Sequence, residues 1–479
     1  MDPEPLIFNG IDGATGQYLL PPLTPRDISK IAQGEKLDPA ALQDLVQRWT
    51  QVSQPHFGVK ALASGDETNL ARTGWGVVFA HDADPAIREA LAPLLARRKA
   101  HAGAEKEKYY QEYVGIRAYR PDESKQQFLA RNGAGPGPAD PEKVPYYLLL
   151  VGDPEAIPFR FQYQLDVQYS VGRIHFDTLQ DYAQYASNVV EIESNPPQLQ
   201  RRAAFFGVRN AGDQATQLSA DHLVKPLAAK LAGELPGWKY DTVLAADATK
   251  ARLGQLLGGA DTPAFLFSAS HGMGFPNGDA RQAAQQGALL CQDWPGPIQW
   301  RQPIPPEFYF AGEDLGDSTA LKGTVAFFFA CYGAGTPRLD DFAHVATGVQ
   351  SEIAPHGFLG RLPKRLLTRG MLAVVGHVER AWGCSFTWKR AGEQLSVFES
   401  SLLRLLQGQP IGRAVEFFNE RYAELSSDLT SELEDVKYGK IPDDVEISGM
   451  WTANNDARSY IIIGDPAVCL AAQPSTSVS

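Results

Sequence analysis

The chain has 479 residues and a formal net charge of −12, which argues against nucleic acid as its main partner, because phosphate binding needs a basic surface. Hydrophobic residues make up 44% of the chain, which is enough for a large buried core. The N-terminus is acidic where a signal peptide is basic, and no apolar run approaches ~18 residues. We therefore expect a cytoplasmic protein whose partners are neither nucleic acids nor membranes.

Residues 1–70 are rich in Pro, Asp and Gln and form a predicted N-terminal extension. The segment LLPPLTPRD (19–27) predicts an extended arm, because proline fixes its own φ and disfavours helix in the preceding residue. An amphipathic period predicts one helix over 39–52. The extension either packs over the core or blocks the functional site, and the sequence leaves both possibilities open.

Beyond residue 74, apolar runs of strand length alternate with patterns of helical period. A charged, helix-like run over 104–130 and a flexible loop over 132–145 interrupt this alternation. Alternation on this scale predicts a parallel sheet with right-handed crossovers. The strands predicted here span 74–82, 146–159, 167–174, 202–208 and 241–246, and the helices span 85–103, 177–193 with Asp177 as N-cap, 214–233 and 248–259.

Two apolar runs end abruptly in a reactive residue followed by a glycine-containing turn. The first, over 263–274, delivers His271, and the second, over 323–335, delivers Cys331. Residues just past the carboxyl ends of buried parallel strands line the crevice where ligands bind. We therefore expect an imidazole and a thiol at one sheet edge, where the base activates a thiol whose free pKa is near ~8.5. The amides of Gly272 and Cys331 are expected to point at a developing oxyanion.

A long polar and Pro-rich insertion over 275–320 separates these two strands, and its length predicts a functional or mobile segment. An acidic linker is predicted over 427–446. The cysteines at 291, 331, 384 and 469 show no CxxC spacing, so no disulfide framework is expected. The later predicted strands span 371–383 and 459–470, and the later predicted helices span 362–370, 392–407 and 411–427.

Five motifs follow one another along the chain: YLLLVGDPEAIPF, VGRI before DTLQDYAQY, the strand ends SASHG and FFACYGAG, and the late YIIIGDPAV. Together they resemble the clan CD cysteine peptidases, the group of caspases, gingipains and CHAT proteases. The YLLLVGDPEAIPF, VGRI and YIIIGDPAV motifs look most like the gingipain-type (C25) branch. The resemblance implies a caspase-like three-layer α/β sandwich with a mostly parallel central sheet and helices on both faces. It divides the chain into a first α/β half (71–260), a catalytic half (261–470) and a disordered tail (471–479).

The same resemblance implies a cysteine endopeptidase that works through a His-Cys dyad and a thioester acyl-enzyme. His271 would be the general acid or base and Cys331 the nucleophile, with Gly272 lining the oxyanion hole. No cofactor or metal is expected, and the partners would be protein or peptide substrates. An activating protease or a regulatory protein would control the enzyme, with the loops at 99–145 and 275–320 as cleavable switches. Bacterial defence or programmed death is the context implied by such relatives.

Substrate specificity is expected to depend on the pocket for the P1 side chain. Asp166 falls where basic-specific relatives carry an acidic residue, so a carboxylate there would suit Arg or Lys at P1. The alternative is that Asp166 caps a loop. Trp382 either walls the pocket or belongs to the core. Arg380 is the candidate for the opposite preference, Asp at P1.

Three alternatives remain open from the sequence. His377, at the end of a later strand, is a rival base to His271. Asp340 and Asp341 are a paired acid that would suit a cation, although paired acids in loops are usually solvated, and no metal is predicted. The chain could also be a non-catalytic binding module of the same fold, or a transpeptidase that uses the same thioester.

Overall fold

The computed structural model describes residues 6, 9–20, 22–33, 68–316, 319–340, 351–382, 386–388 and 392–473. The helix predicted over 39–52 lies outside these residues, as do Asp341 and Cys384. The α-helices of the described residues are α1 (Pro25–Ala32), α2 (Leu70–Thr73), α3 (Pro85–Ala90), α4 (Ala92–Ala102), α5 (Lys125–Arg131), α6 (Phe159–Asp166), α7 (Leu179–Ser194), α8 (Gln214–Ser219), α9 (Lys225–Glu234), α10 (Lys250–Leu256), α11 (Gln282–Gln285), α12 (Arg361–Thr368), α13 (Ser396–Leu406), α14 (Ile411–Ala414), α15 (Glu416–Lys437) and α16 (Asp444–Ser459).

One large sheet of ten strands forms the centre of the molecule. Its spatial order is β2-β1-β3-β4-β10-β9-β8-β7-β5-β6 when the strands are numbered along the chain. These strands are β1 (Trp75–Phe79), β2 (Tyr110–Tyr113), β3 (Tyr147–Val151), β4 (Ser170–Ile174), β5 (Arg202–Gly207), β6 (Lys239–Leu244), β7 (Phe265–Ala269), β8 (Val325–Phe329), β9 (Ala373–His377) and β10 (Tyr460–Gly464).

Strand direction divides the sheet into two internally parallel sets. Every neighbouring pair in this sheet is parallel except β9 and β10, which are antiparallel. The register aligns Phe329 of β8 with Ala269 of β7. Two residues further on, His271 and Cys331 therefore leave adjacent strands at the same edge. The predicted mostly parallel sheet, and the shared edge for these two side chains, are confirmed.

Helices cover the sheet in two packed groups. The helices α3, α4 and α12 each contact α7, and α9, α13, α15 and α16 form a second chain of contacts. The central strands are buried along their whole length, which requires apolar cover on both faces. These layers give the predicted three-layer α/β sandwich, and both predicted halves of the chain contribute strands to its one sheet.

A buried polar cluster joins the first strand to the end of the last. The carboxylate of Asp465, in the late GDP motif, accepts hydrogen bonds from Trp75 Nε1 at 2.9 Å and from Arg98 Nε at 2.6 Å. Arg98 also reaches the carboxylate of Glu193 on α7. Because buried charges are costly unless they are paired, this GDP motif has a structural explanation.

The charged stretches hold more regular structure than the sequence predicts. The run at 104–130 contains β2, an edge strand of the sheet, where a helix is predicted. The prediction of an acidic linker over 427–446 is wrong, because α15 and α16 occupy most of this range. Leu425 and Leu429 lie one helical turn apart on the buried side of α15, which leaves the acidic side chains on the outer face. The N-cap of α7 is Thr178, one residue later than predicted.

The N-terminal extension and the 275–320 insertion pack beside the sheet edge that carries His271. Ile11–Asp12 pairs in parallel with Met273–Gly274. The insertion supplies the strands Leu289–Leu290 and Tyr309–Phe310, which pair with each other. Within the described residues, no helix is long and apolar enough to cross a membrane. The remaining two-residue strands are Leu199–Gln200 with Ala472–Gln473, Gly335–Thr336 with Phe358–Leu359, and Thr387–Trp388 with Gly392–Glu393.

Candidate active site

His271 is fully buried at the end of β7, and both of its ring nitrogens have partners. The amide of Gly10 donates to Nδ1 at 2.7 Å. The other nitrogen, Nε2, lies 2.7 Å from Oδ2 of Asp213. Because an amide can only donate, Nδ1 carries a lone pair and the ring proton is on Nε2, facing the carboxylate. The imidazole is thus held as a base whose lone pair faces the Gly10 amide.

Asp213 completes the arrangement and was missed by the sequence analysis. It precedes α8, just beyond the carboxyl end of β5, which is the neighbour of β7 in the sheet. Tyr18 and Thr216 donate their hydroxyls to it at 2.5 and 2.6 Å. Burial opposes its charge, but His271 and the two hydroxyls outweigh burial and hold the pKa of Asp213 below its ordinary value. A carboxylate just past the strand beside the histidine strand was the available signal.

Cys331 is also fully buried, two residues past the end of β8. Its Sγ lies 2.8 Å from the carbonyl oxygen of Asn9, and the amide of Ala381 donates to Sγ at 3.2 Å. Burial raises the pKa of the thiol to about 12, although the Ala381 amide and the nearby Arg380 act in the opposite direction. With the site covered in this way, the sulfur is a neutral thiol at physiological pH.

Close packing constrains the backbone at Gly272, and positive φ angles mark the backbone near Cys331. A Cβ atom on Gly272 would lie 1.7 Å from the carbonyl oxygen of Cys331, so only glycine lets the two strand ends approach this closely. Tyr332 and Glu379 both have positive φ, 58° and 70°, and the Tyr332 amide donates to the Glu379 carbonyl. Left-handed backbone costs roughly 1–2 kcal/mol per non-glycine residue, so backbone strain is concentrated beside the thiol.

The N-terminal arm, defined here as residues 9–20, lies directly over these groups. Asn9 and Gly10 contact the thiol and the imidazole, and Tyr18 contacts the carboxylate. The ring of Trp294, from the 275–320 insertion, meets the imidazole edge-on at 6.0 Å. Of the two possibilities left open by the sequence, the arm therefore does both: it packs against the core and covers the site.

The two residues predicted to bind substrate, Asp166 and Trp382, are buried and have contacts of their own. Asp166 is buried at the end of α6, and its carboxylate accepts a hydrogen bond from the amide of Val171 at 3.1 Å. This contact is of the kind expected for a loop cap. Trp382 is buried against Trp451, with ring centroids 5.7 Å apart, and packs in a cluster with apolar residues of the N-terminal extension. This contact is of the kind expected for a core residue.

The alternative candidates, Arg380 and His377, also have contacts that explain their positions structurally. The guanidinium of Arg380 makes two hydrogen bonds to the carboxylate of Asp340, at 3.0 and 2.7 Å, and both residues are buried. The Nε2 atom of His377 lies 3.2 Å from the carbonyl oxygen of Asp456. Its ring packs edge-on against Tyr460. Among the described residues, no cluster of His, Cys, Asp and Glu has the arrangement of a metal site.

Similarity to known proteins is found among solved structures. No family model and no curated protein matches the chain. A solved structure described as that of a protease is similar at 12% identity and a TM-score of 0.47, over 83% of this chain and 78% of the other. A complex of the pro- and mature domains of RgpB from Porphyromonas gingivalis is similar at 13% identity and a TM-score of 0.41, over 83% and 79%. The separase–securin complex of Saccharomyces cerevisiae is similar at 10% identity and a TM-score of 0.32, over 67% and 15%. The chain itself is an α/β sandwich in which a buried thiol, an imidazole and a carboxylate meet at one sheet edge.

Proposed function

We propose that the chain is a cysteine endopeptidase in which Cys331 is the nucleophile, His271 the general base and acid, and Asp213 the residue that positions the imidazole. One observation carries the proposal. The thiol of Cys331 and the Nδ1 atom of His271 face the carbonyl oxygen and the nitrogen of the same peptide bond, Asn9–Gly10. The two side chains therefore line a place where a backbone peptide binds, as a pair that acts on peptide bonds must.

The chemistry follows from which nitrogen carries the proton. Nδ1 of His271 accepts the thiol proton as the sulfur of Cys331 attacks the carbonyl carbon, and it then delivers that proton to the departing amine. Asp213 stabilises the imidazolium formed between these steps. The amides of Gly272 and Cys331 are proposed to bind the oxyanion, and the close approach of the two backbones supports this role. Water then hydrolyses the thioester.

We propose that the substrate carries Arg or Lys at P1 and that the carboxylate of Asp166 binds this side chain. Strand β10 runs antiparallel to β9, so the start of β4 and the preceding Asp166 lie on the sheet edge that carries Cys331. Asp at P1 is less favoured, because the charge of Arg380 is already balanced by Asp340. Cleavage profiles of a peptide library by the wild type and by Asp166→Ala test this choice. An unchanged basic preference in the variant rejects Asp166 as the P1 residue.

The regulatory part of the proposal is that proteolysis or a partner protein controls access to the site. The complete burial of both His271 and Cys331 supports such control, because a substrate cannot reach either side chain while the cover stays in place. A cytoplasmic location and a role in bacterial defence or programmed death stay predictions from the resemblance. Mass spectrometry of the loops at 99–145 and 275–320 after activation shows whether a cut there is needed.

The endopeptidase and the scaffold alternative are separated by covalent labelling. After removal of the cover, an acyloxymethyl ketone with Arg at P1 should modify Cys331 in the wild type and leave Cys331→Ala unmodified. Cys291 is a suitable control, because it is also fully buried and has its pKa raised by burial, but lies outside the proposed site. A wild type that never reacts, after removal of the cover, supports the non-catalytic binding module.

A further inference from the structure

A short backbone segment after β9, residues 379–382, contacts the sulfur of Cys331. The amide of Ala381 donates to Sγ at 3.2 Å, and the Ala381 carbonyl oxygen lies 3.7 Å from the same sulfur. A hydrogen bond donated to the charged form of a group lowers its pKa, so this amide favours the thiolate, which is the reactive form. The direction of the Ala381 amide therefore helps to set how reactive the thiol is.

The first half of this segment is held by contacts to neighbouring loops. Glu379 has a φ of +70°, which residues with a side chain rarely adopt. Its carbonyl accepts a hydrogen bond from the Tyr332 amide, and its own amide donates to the carbonyl of Gly335. Arg380 is held through its side chain by Asp340. These contacts act before the amide that meets the sulfur, so they do not by themselves fix its direction.

The second half of the segment is held by the carboxylate of Asp456, near the end of α16. Its Oδ1 atom accepts a hydrogen bond from the amide of Trp382 at 3.1 Å. Trp382 directly follows the residue whose amide meets the sulfur. Asp456 is 2% exposed, and a buried carboxylate is costly unless its surroundings compensate it. The charge of Arg421, on α15, acts on this carboxylate.

The imidazole of His377 fixes the orientation of Asp456. Its Nε2 atom lies 3.2 Å from the carbonyl oxygen of Asp456 and 3.4 Å from Oδ1 of the same residue. Both are acceptors, so Nε2 carries the proton. Within the described part of the chain, Nδ1 has no hydrogen-bond partner, and the ring packs edge-on against Tyr460. The polar contacts of this ring are thus with Asp456, which fits a supporting residue and not a second base.

We infer that Asp456 is a positioning residue for the nucleophile, because through the Trp382 amide it holds the Ala381 amide on the sulfur of Cys331. This inference rests on the proposed function, in which Cys331 is the nucleophile. Asp456 touches neither the sulfur nor the substrate, so it acts only through the backbone that it holds. Its effect should therefore appear in the properties of the thiol and in kcat.

The position and the charge of Asp456 act on the thiol in opposite directions. The negative charges of Asp456 and Glu379 raise the pKa of the thiol, whereas the charge of Arg380 lowers it. Burial raises the pKa values of Tyr332 and Tyr460, so both phenols near the thiol are neutral. A neutral side chain that keeps the acceptor should lower the pKa of the thiol. A neutral side chain without the acceptor should give a higher pKa than that.

The pKa of the Cys331 thiol in Asp456→Asn and Asp456→Ala tests the inference, since these variants have equal charge and differ in the acceptor for the Trp382 amide. The pKa is the midpoint of the pH dependence of iodoacetamide modification, located by peptide mass spectrometry after the cover has been opened by limited proteolysis. Easier access to the sulfur changes the rate but not the midpoint. We expect the pKa to fall in Asp456→Asn and to lie roughly 1–2 pH units higher in Asp456→Ala than in Asp456→Asn. Equal values in the two variants overturn the inference.

A second variant keeps the charge and moves the acceptor, which tests the inference even if Asp456→Ala does not fold. Asp456→Glu displaces the carboxylate by one methylene group, so the Trp382 amide loses its present partner. We expect the pKa of the thiol to rise above the wild-type value, and an unchanged value overturns the inference. Asp428→Ala, on the exposed face of α15, is the control for a change of net charge and should match the wild type.

Peptide cleavage by the same samples separates this inference from the proposed function. We expect Asp456→Ala to have a lower kcat than Asp456→Asn and a similar KM, because the nucleophile is displaced while the substrate site is kept. If the pKa values differ as expected and no sample cleaves peptides, Asp456 positions the thiol and the endopeptidase proposal fails. If the wild type cleaves peptides and the two neutral variants have equal pKa values, the endopeptidase stands and the positioning role is overturned.

Discussion

At the scale of single residues, the imidazole of His271 is fixed from two sides. Asp213 holds the protonated nitrogen, and the Gly10 amide marks the direction of the lone pair. Histidine and cysteine could be predicted from the sequence, because each follows an apolar strand and precedes a glycine-containing turn. Asp213 was missed, because it stands six residues past the end of β5 in a loop with no motif around it, so its position near a strand end was a weak signal.

The first prediction concerns Asp213. We expect Asp213→Asn to lower kcat by roughly 10²–10⁴-fold, because a neutral amide neither fixes the tautomer nor stabilises the imidazolium. Steady-state kinetics of peptide cleavage measure the effect. Asp221→Asn, in an exposed ion pair with Arg209, is the matched control and should behave as the wild type.

The second prediction concerns Gly272. We expect Gly272→Ala to lower the free energy of unfolding by about 1–3 kcal/mol and to abolish activity, because its Cβ would collide with the Cys331 carbonyl. Urea denaturation and peptide cleavage measure the two effects. Gly135→Ala is the control, since a Cβ there would meet open space. Normal stability and activity in Gly272→Ala would mean that the strand ends need not approach so closely.

At the scale of elements, the site is built from strand ends and closed by the arm. The predicted strands fall close to their observed positions, because buried parallel strands carry continuous apolar runs. The pairing of Ile11–Asp12 with Met273–Gly274 could not be predicted, since a two-residue strand has no period and its partner lies far along the chain. The edge strand β2 was also missed, because the charged side chains of an edge strand resemble those of a helix surface.

The third prediction concerns the arm. Burial raises the pKa of the Cys331 thiol to about 12, so iodoacetamide should modify it slowly near neutral pH and faster as the pH rises. We expect Tyr18→Phe to speed this modification, because the arm loses its hydrogen bond to buried Asp213. Tyr438→Phe, on an exposed side chain, should change nothing. An equal rate in Tyr18→Phe and the wild type would show that Tyr18 does not hold the arm down.

At the scale of the whole molecule, β10 joins the two internally parallel sets of strands into one sheet. The alternation of strands and helices predicts a mostly parallel sheet, but it does not give the order of the strands. The strand order depends on pairing between strands that lie far apart in the sequence. Local sequence patterns therefore say little about it. The GDP motif at the end of β10 was recognised as a motif, but its structural task, binding Trp75 and Arg98, was not.

The fourth prediction concerns the buried cluster of Trp75, Arg98 and Asp465. We expect Arg98→Ala to lower the free energy of unfolding by about 3–5 kcal/mol, because it leaves buried Asp465 without its cation. Arg88→Ala removes a partly exposed ion pair with Glu112 and should cost less than about 1 kcal/mol. Urea denaturation of both variants measures the difference. Similar stabilities would show that the buried cluster does not hold the sheet together.

The most direct test of the central claim is peptide hydrolysis after the cover has been opened by limited proteolysis, followed over time for the wild type, Cys331→Ala and Cys291→Ala. If Cys331 and His271 act together on peptide bonds, the wild type and Cys291→Ala will cleave library peptides and Cys331→Ala will not. Equal cleavage by Cys331→Ala and the wild type would contradict the account.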